Sequence, residues 1–281
     1  MADLSTTVNE VADSAALVRL NGFSDAAALR ERARLILPST ADDTITFDLS
    51  KPYRSRDALI EEYWRFHPRY LFFKSVPERA RLADMGAGSG GMVGWKVWGE
   101  PVRRDIFMYA VDIAQGEYFG DYVDFDIVEL GKDETKFPDG VFDSLIVSHL
   151  IEHVADRRAL AREIGRIAKP GAKVYIEWPR PESGRIISRD TLVQFGIQCS
   201  TLNFFDDSTH LELVSEAEAE AAFTAAGFRR ISAGEVINDY LYTELFRCGV
   251  AESDSEATTY ALWLAFRFSR YLIMEKAGTT T

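Results

Sequence analysis

Sulfur and imidazole are scarce in this chain: its 281 residues include two cysteines and four histidines. Two cysteines cannot staple a fold of this size, and Cys199 and Cys248 lack metal-type spacing, so a disulfide framework is excluded and both are expected as reduced core residues. Long apolar runs are missing as well. No stretch approaches the roughly 20 residues of a spanning helix. Met1-Ala-Asp-Leu-Ser5 has neither the basic start nor the apolar run of a signal peptide, so no membrane partner is expected and the cytoplasm is the expected location. Positive charge is in deficit: 32 basic against 44 acidic residues leave a net charge of −12, which repels a polyanion and disfavours nucleic acid as substrate. Internal repeats and low-complexity tracts are absent too.

What is present reads as an ordinary globular protein, 47% hydrophobic and 27% charged, long enough for one large core with additions. Residues 1–75 alternate helical patterns with polar joints, and Ser24 can cap the helix that its neighbours propose, so an N-terminal helical lid or extension is expected there. Residues 53–73 are crowded with aromatics, among them Tyr63, Trp64, Phe66, Tyr70, Phe72 and Phe73, which suit core packing, a lid or a sugar platform. From residue 76 to 281 short apolar strands separated by helices predict an α/β domain with a mostly parallel sheet. The strand candidates are 81–85, 106–111, 123–125, 144–148, 172–177, 229–236 and 261–268, with the last two paired antiparallel at the edge. Lys169-Pro-Gly171 stops a helix over 158–167. Residues 178–212, with Pro179, Pro181 and Gly184, form a substrate loop in which Arg180, Arg185 and Arg189 either meet a small anion or face solvent.

The first strand runs into Gly86-Ala87-Gly88-Ser-Gly90-Gly91, a turn that brings backbone close to a ligand. As Gly86-x-Gly88-x-x-Gly91, with Asp112 about twenty residues on, it satisfies the dinucleotide fingerprint. As Asp84-x-Gly86-x-Gly88-x-Gly90 it resembles motif I of class I S-adenosylmethionine-dependent methyltransferases. The resemblance extends through Tyr109-Ala-Val-Asp112, Val123-Asp-Phe-Asp126, the block from Phe137-Pro-Asp-Gly through Phe-Asp143 to His149-Leu-Ile-Glu-His-Val, Ile164 to Tyr175, and Ala225-Ala-Gly-Phe228. It implies a Rossmann-like seven-stranded sheet with the last strand antiparallel. It also implies S-adenosylmethionine as cofactor, with the backbone of Asp84, Gly86, Ala87, Gly88 and Gly90 beside its methionine part. Asp112 and Ile113 would then lie at the ribose, Asp126 and Ile127 at the adenine, and Ser148 at the end of the fourth strand.

A sulfonium supplies the leaving group, so the protein must align an acceptor and, for an alcohol, remove a proton, by a base or through a divalent ion. His149, Glu152 and His153 follow the fourth strand and would share one face of a helical first turn, and His210 lies 57 residues beyond His153. The pattern resembles the Glu-x-x-Glu-His motif of ubiquinone-pathway O-methyltransferases and that of small-RNA 2′-O-methyltransferases with their distant histidine. Here His149 replaces the first glutamate. His149, His153 and His210 are the expected catalytic residues, and His149, Glu152, His153 and His210 the expected ligands of Mg²⁺ or another divalent ion; His149 acting alone as base is the alternative. Asp206 and Asp207 either join the site or cap the turn before His210. The loop from Asn203 to His210 resembles stretches of bacterial glycan methyltransferases, so the expected acceptor is a hydroxyl of a sugar or similar polar metabolite, with a phenol, carboxylate or amine as the alternative. The aromatic preface and residues 238–249 suit a homo-oligomer interface as well as a lid.

Overall fold

The computed structural model describes residues 32–36, 44–48, 51–194 and 196–278; the expected cap at Ser24 lies outside them. In chain order the elements are β1 (Arg32–Ile36), β2 (Thr44–Asp48), α1 (Arg56–Phe66), α2 (Pro68–Ser75), β3 (Arg81–Met85), β4 (Phe107–Asp112), β5 (Asp124–Ile127) and β6 (Phe142–Ser148). They continue with α3 (Arg157–Ile167), β7 (Ala168–Pro179), α4 (Arg189–Gln194), α5 (Glu216–Ala225), β8 (Phe228–Glu235), α6 (Tyr242–Glu252), α7 (Ser255–Ala265) and β9 (Ser269–Lys276). Among the described residues no helix is long and apolar enough to cross a membrane.

The described residues fall into two compact units, one drawn from 67–179, 211–235 and 269–278, the other from 32–66, 180–210 and 236–268. The expected boundary at residue 75 therefore falls elsewhere. α2 joins the sheet unit because its Phe72 and Phe73 pack in one core with Leu82, Met108, Ala110 and Ile146.

The sheet unit holds seven strands in the order β5-β4-β3-β6-β7-β9-β8. β5, β4, β3, β6 and β7 are parallel to one another, and β9 runs antiparallel between β7 and β8. Both faces are covered, as a parallel sheet requires. Ala83, Tyr109, Leu145 and Ile176 pack on one side with Leu160, Ile164 and Ile167 of α3 and Phe223 of α5. Their sequence neighbours Leu82, Met108, Ile146 and Tyr175 pack on the other. Burying each such aliphatic side chain contributes roughly 1.5–3 kcal/mol. Asp156 caps α3 by accepting from Ala159 N at 2.8 Å, and Ser215 and Glu218 form a capping box on α5.

The segment between β3 and β4 is held from α2. The buried Lys74 ammonium donates to the carbonyls of Trp95, Trp98, Gly99 and Pro101 at 2.7–3.0 Å, so four acceptors share its three hydrogens. β4 still enters in register, Asp84 opposite Ala110 and Met85 opposite Val111, and Asp112 arrives just past the end of β3.

The other unit corrects two expectations. The helical preface includes a hairpin, β1 against β2 with Arg32 opposite Asp48 and Ile36 opposite Thr44. Polar and apolar residues alternate over Arg32–Leu35 and Thr44–Asp48, the period of a strand and not of a helix. The strand expected over 261–268 is the end of α7, started by Asp254, whose side chain accepts from Ala257 N at 2.9 Å; the last strand is the next segment, β9. An apolar run of that length carries no period that separates a strand from a buried helix. Within this unit Tyr63 stacks on Tyr260 at 4.1 Å, and Trp263 Nε1 donates to Thr201 O at 2.8 Å. Cys199 and Cys248 are free and buried, and burial pushes their thiols up to about 12 and 11.

Candidate active site

Ligands collect at the carboxyl ends of strands in such sheets. At the end of β3, Gly86, Gly88 and Gly90 all take the left-handed backbone, with φ of 76°, 56° and 83°. Gly86 N and Ala87 N donate to Val111 O at 2.8 and 3.1 Å, Gly88 N to Asp112 Oδ2 at 2.7 Å, and Gly90 N to Ala87 O at 2.9 Å. A turn that binds pyrophosphate points free amides at its ligand from the start of an α-helix. Here those amides are taken by protein groups, and a 3₁₀ turn, Gly91–Lys96, follows. The turn therefore suits a ligand that needs close approach more than N–H donors. At Gly88 an added Cβ would meet nothing within 4 Å, which leaves open space beside the backbone.

Asp112 lies at the end of β4, its Oδ1 accepting from Ile113 N at 2.7 Å. Beside it Ile113 is 70% exposed, and Ile127, directly opposite Asp112 in β5, is 42% exposed. An acceptor-only carboxylate between two exposed apolar side chains fits a ribose diol with an adenine. Asp126 is occupied otherwise: its Oδ2 accepts from Lys136 N at 2.6 Å and fixes the loop after β5. These residues fit S-adenosylmethionine.

Asp84 is buried, and burial pushes its carboxyl up to about 6, against a hydrogen bond from the Tyr122 hydroxyl at 2.7 Å.

A second cluster occupies the ends of β6 and β7. His149 is not on a helix: its φ of 49° is left-handed, and only Ile151–His153 form a 3₁₀ turn. The expected helical face of His149, Glu152 and His153 does not form, because the strand ends in a backbone kink before the turn begins. His149 Nδ1 lies 3.2 Å from Glu152 Oε1 and Nε2 lies 3.1 Å from Glu177 Oε1, with Ser269 Oγ at 3.3 Å. Burial works against charge on the ring, but hydrogen bonds and attraction from both glutamates outweigh it and push its pKa up to about 9. At neutral pH His149 is an imidazolium with both N–H groups committed. In that state it has no lone pair for a metal ion or a substrate proton.

Glu177 is the centre of this cluster. Tyr175 donates to its Oε2 at 2.8 Å, Arg69 Nε lies 3.7 Å from Oε2, and His67 Nε2 lies 3.6 Å from Oε1. Burial raises this carboxyl, but the charges of Arg69 and His149 and the hydrogen bond from His149 hold it well below the usual carboxylate range. His67 Nδ1 accepts from Arg69 N at 3.2 Å, which puts its ring hydrogen on Nε2, toward Glu177; burial lowers it to about 3, so it is neutral. Arg69 Nη1 also donates to Ser148 Oγ at 2.6 Å, giving Ser148 a structural partner. Glu152 is fully buried, and its Oε2 has no hydrogen-bond partner among the described residues.

Sequence reasoning passed over Glu177, Arg69 and His67. One signal was available: Glu177 is the single charge in the apolar run Val174–Trp178. His153 is half-buried on the 3₁₀ turn. In the other unit, His210 Nδ1 lies 2.5 Å from Phe204 O, and its ring rests on Phe204 at 4.5 Å. There Asp206 accepts from Leu202 N and Asn203 N at 2.8 Å, and Asp207 from Thr209 N at 2.8 Å, so both cap turns.

A glycine turn whose Gly86, Ala87, Gly88 and Gly90 amides are taken by protein groups, a strand-end aspartate and flanking isoleucines suit a nucleoside-bearing ligand. Residues 55–233 match the family described as "Methyltransferase domain", well over half of the chain, and the protein belongs to that family. The matched region is a methyltransferase domain of the S-adenosylmethionine-dependent kind. The chain is similar to norajmaline N-methyltransferase of Rauvolfia serpentina, 28% identical over 142 residues, 48% of this chain and 47% of the relative. It is also similar to ajmaline N-methyltransferase of the same plant, 32% identical over 113 residues, 37% of this chain and 38% of the relative. The chain thus matches less than half the length of either. The fold is shared with geranyl diphosphate C-methyltransferase of Streptomyces coelicolor A3(2), at a TM-score of 0.53 and 13% identity, over 82% of this chain and 84% of that one.

Proposed function

We propose that the enzyme methylates the nitrogen of a small-molecule amine that docks on Glu152. The observation that carries this reading is the Oε2 of a fully buried glutamate, which has no hydrogen-bond partner among the described residues and lies beside an imidazolium. A buried acceptor left so costs about 1–3 kcal/mol, which an incoming N–H relieves. When bound, S-adenosylmethionine supplies a methyl group on a sulfonium that leaves as a neutral thioether. A neutral amine would need no strong base, because its own lone pair is the nucleophile. Glu152 faces the positive charge that grows on nitrogen and takes up the proton the product sheds. An aliphatic hydroxyl would need a base that His149, with a pKa of about 9, does not offer at neutral pH. The two relatives named as N-methyltransferases support the same direction.

A second reading keeps the sugar hydroxyl and a divalent ion. A hard oxygen ligand such as Glu152 Oε2 suits Mg²⁺, with His149 once deprotonated and His153 as the other candidate ligands within the sheet unit. Incubation with methyl-labelled cofactor and panels of amines, phenols and saccharides, with and without EDTA, separates the two. Labelled amines in both conditions are expected. Label confined to saccharides and abolished by EDTA would establish the second reading in place of the first.

A further inference from the structure

We propose that Tyr122 is a positioning residue for the cofactor, a strap that closes the glycine turn by gripping both of its ends. Its hydroxyl donates to Asp84 Oδ2 at 2.7 Å and lies 3.1 Å from Gly90 O. Asp84 is the residue before the last in β3, where the turn departs; Gly90 is the left-handed residue from which the next 3₁₀ turn starts. One phenolic hydrogen thus faces an acceptor at either end of the turn, with Tyr122 7% and Asp84 3% exposed, so water does not compete. The ring adds contact: a Cβ on Gly90 would stand 3.2 Å from Tyr122 Cε2 and 3.0 Å from Phe119 Cδ1. The start of the turn is already hung on the Val111 carbonyl and its middle on Asp112. The far end has Tyr122.

Tyr122 lies outside the glycine motif, between the 3₁₀ turn Phe119–Asp121 and β5, and so couples the turn to a different part of the sheet. Holding the turn in one shape before the cofactor arrives removes an ordering cost from binding. This inference rests on the methyltransferase assignment and is independent of which acceptor is methylated.

The test is calorimetric titration of the purified full chain with S-adenosylhomocysteine, comparing the wild type with Tyr122→Phe and Tyr109→Phe. Tyr109 is another buried tyrosine of the sheet, whose hydroxyl accepts from Arg81 at 2.8 and 3.1 Å, away from the turn. Tyr122→Phe should weaken binding about tenfold, the worth of one hydrogen bond. Tyr109→Phe should stay within about twofold while losing similar thermal stability. Amide exchange of residues 86–91 without ligand should rise in Tyr122→Phe alone. Wild-type affinity in Tyr122→Phe, or equal losses in both variants, would overturn the strap.

Discussion

The two ends of the sheet's carboxyl edge are built from different materials. At β3 and β4 the site is backbone: three glycines at positive φ, amides on the Val111 carbonyl, and one carboxylate, Asp112, bonded to Gly88 N. At β6 and β7 it is side-chain charge: His149 between Glu152 and Glu177, with Arg69 and His67 reaching in from α2 and its cap. A backbone site forces particular residue types into consecutive positions. A charge cluster forces only that its members meet in space. The two ends should accordingly fail in different ways.

The largest failure is expected at Glu177. Replacing it by glutamine strips the His149 imidazolium and Arg69 of a fully buried partner, and breaking such a pair costs about 3–5 kcal/mol. The carboxyl is held low, so its contribution is present above the ordinary glutamate range and is lost only in acid, as pH falls through its depressed folded value. Urea unfolding at pH 7 should show the loss in full. If Glu177→Gln costs under about 1 kcal/mol, the value of a surface pair, the cluster is solvated and the contrast between the two ends collapses.

That contrast also explains what could be read from the chain. The glycine turn at the end of β3 and the approximate places of six of the seven sheet strands were legible because each is a local demand on residue type or alternation. His67, Arg69, His149 and Glu177 span 111 residues and meet only through the order in which β6 and β7 are laid beside α2. No spacing rule could unite them. The left-handed kink at His149 was hidden as well, since histidine does not announce positive φ as glycine does. The run over 261–268 misled for a third reason: its period was ambiguous, and the cap that decides for a helix, Asp254, lies upstream of it.

Asp84 belongs to the backbone end yet is a buried charge, and it should behave as the exception. Its carboxyl is raised from 3.8 to about 6, so the folded protein prefers the protonated form. The stability this gives is complete below pH 3.8 and is lost as pH rises through 6. Asp84→Asn should therefore be more stable than the wild type above pH 6, by about 2–3 kcal/mol, with the difference vanishing toward pH 4. Thermal melts from pH 4 to 8 measure it. A difference that does not change with pH would show that Asp84 is ionised throughout.

The smallest effect on the fold is expected where the effect on binding is greatest. At Gly88 a methyl group meets no atom within 4 Å, so Gly88→Ala adds no clash, only the left-handed strain of φ 56°. For an L-residue that strain costs about 1–2 kcal/mol. The space the methyl group enters, however, is the open side of the turn, where a cofactor held there would approach the backbone closely. S-adenosylhomocysteine should bind more than about tenfold more weakly, a loss of over 1.4 kcal/mol in binding. Gly90→Ala meets Phe119 at 3.0 Å and should reverse the order, losing more stability than Gly88→Ala. If Gly88→Ala binds the ligand like the wild type, the turn is a fold element only, and the backbone end of the sheet is no more a binding site than any other tight turn.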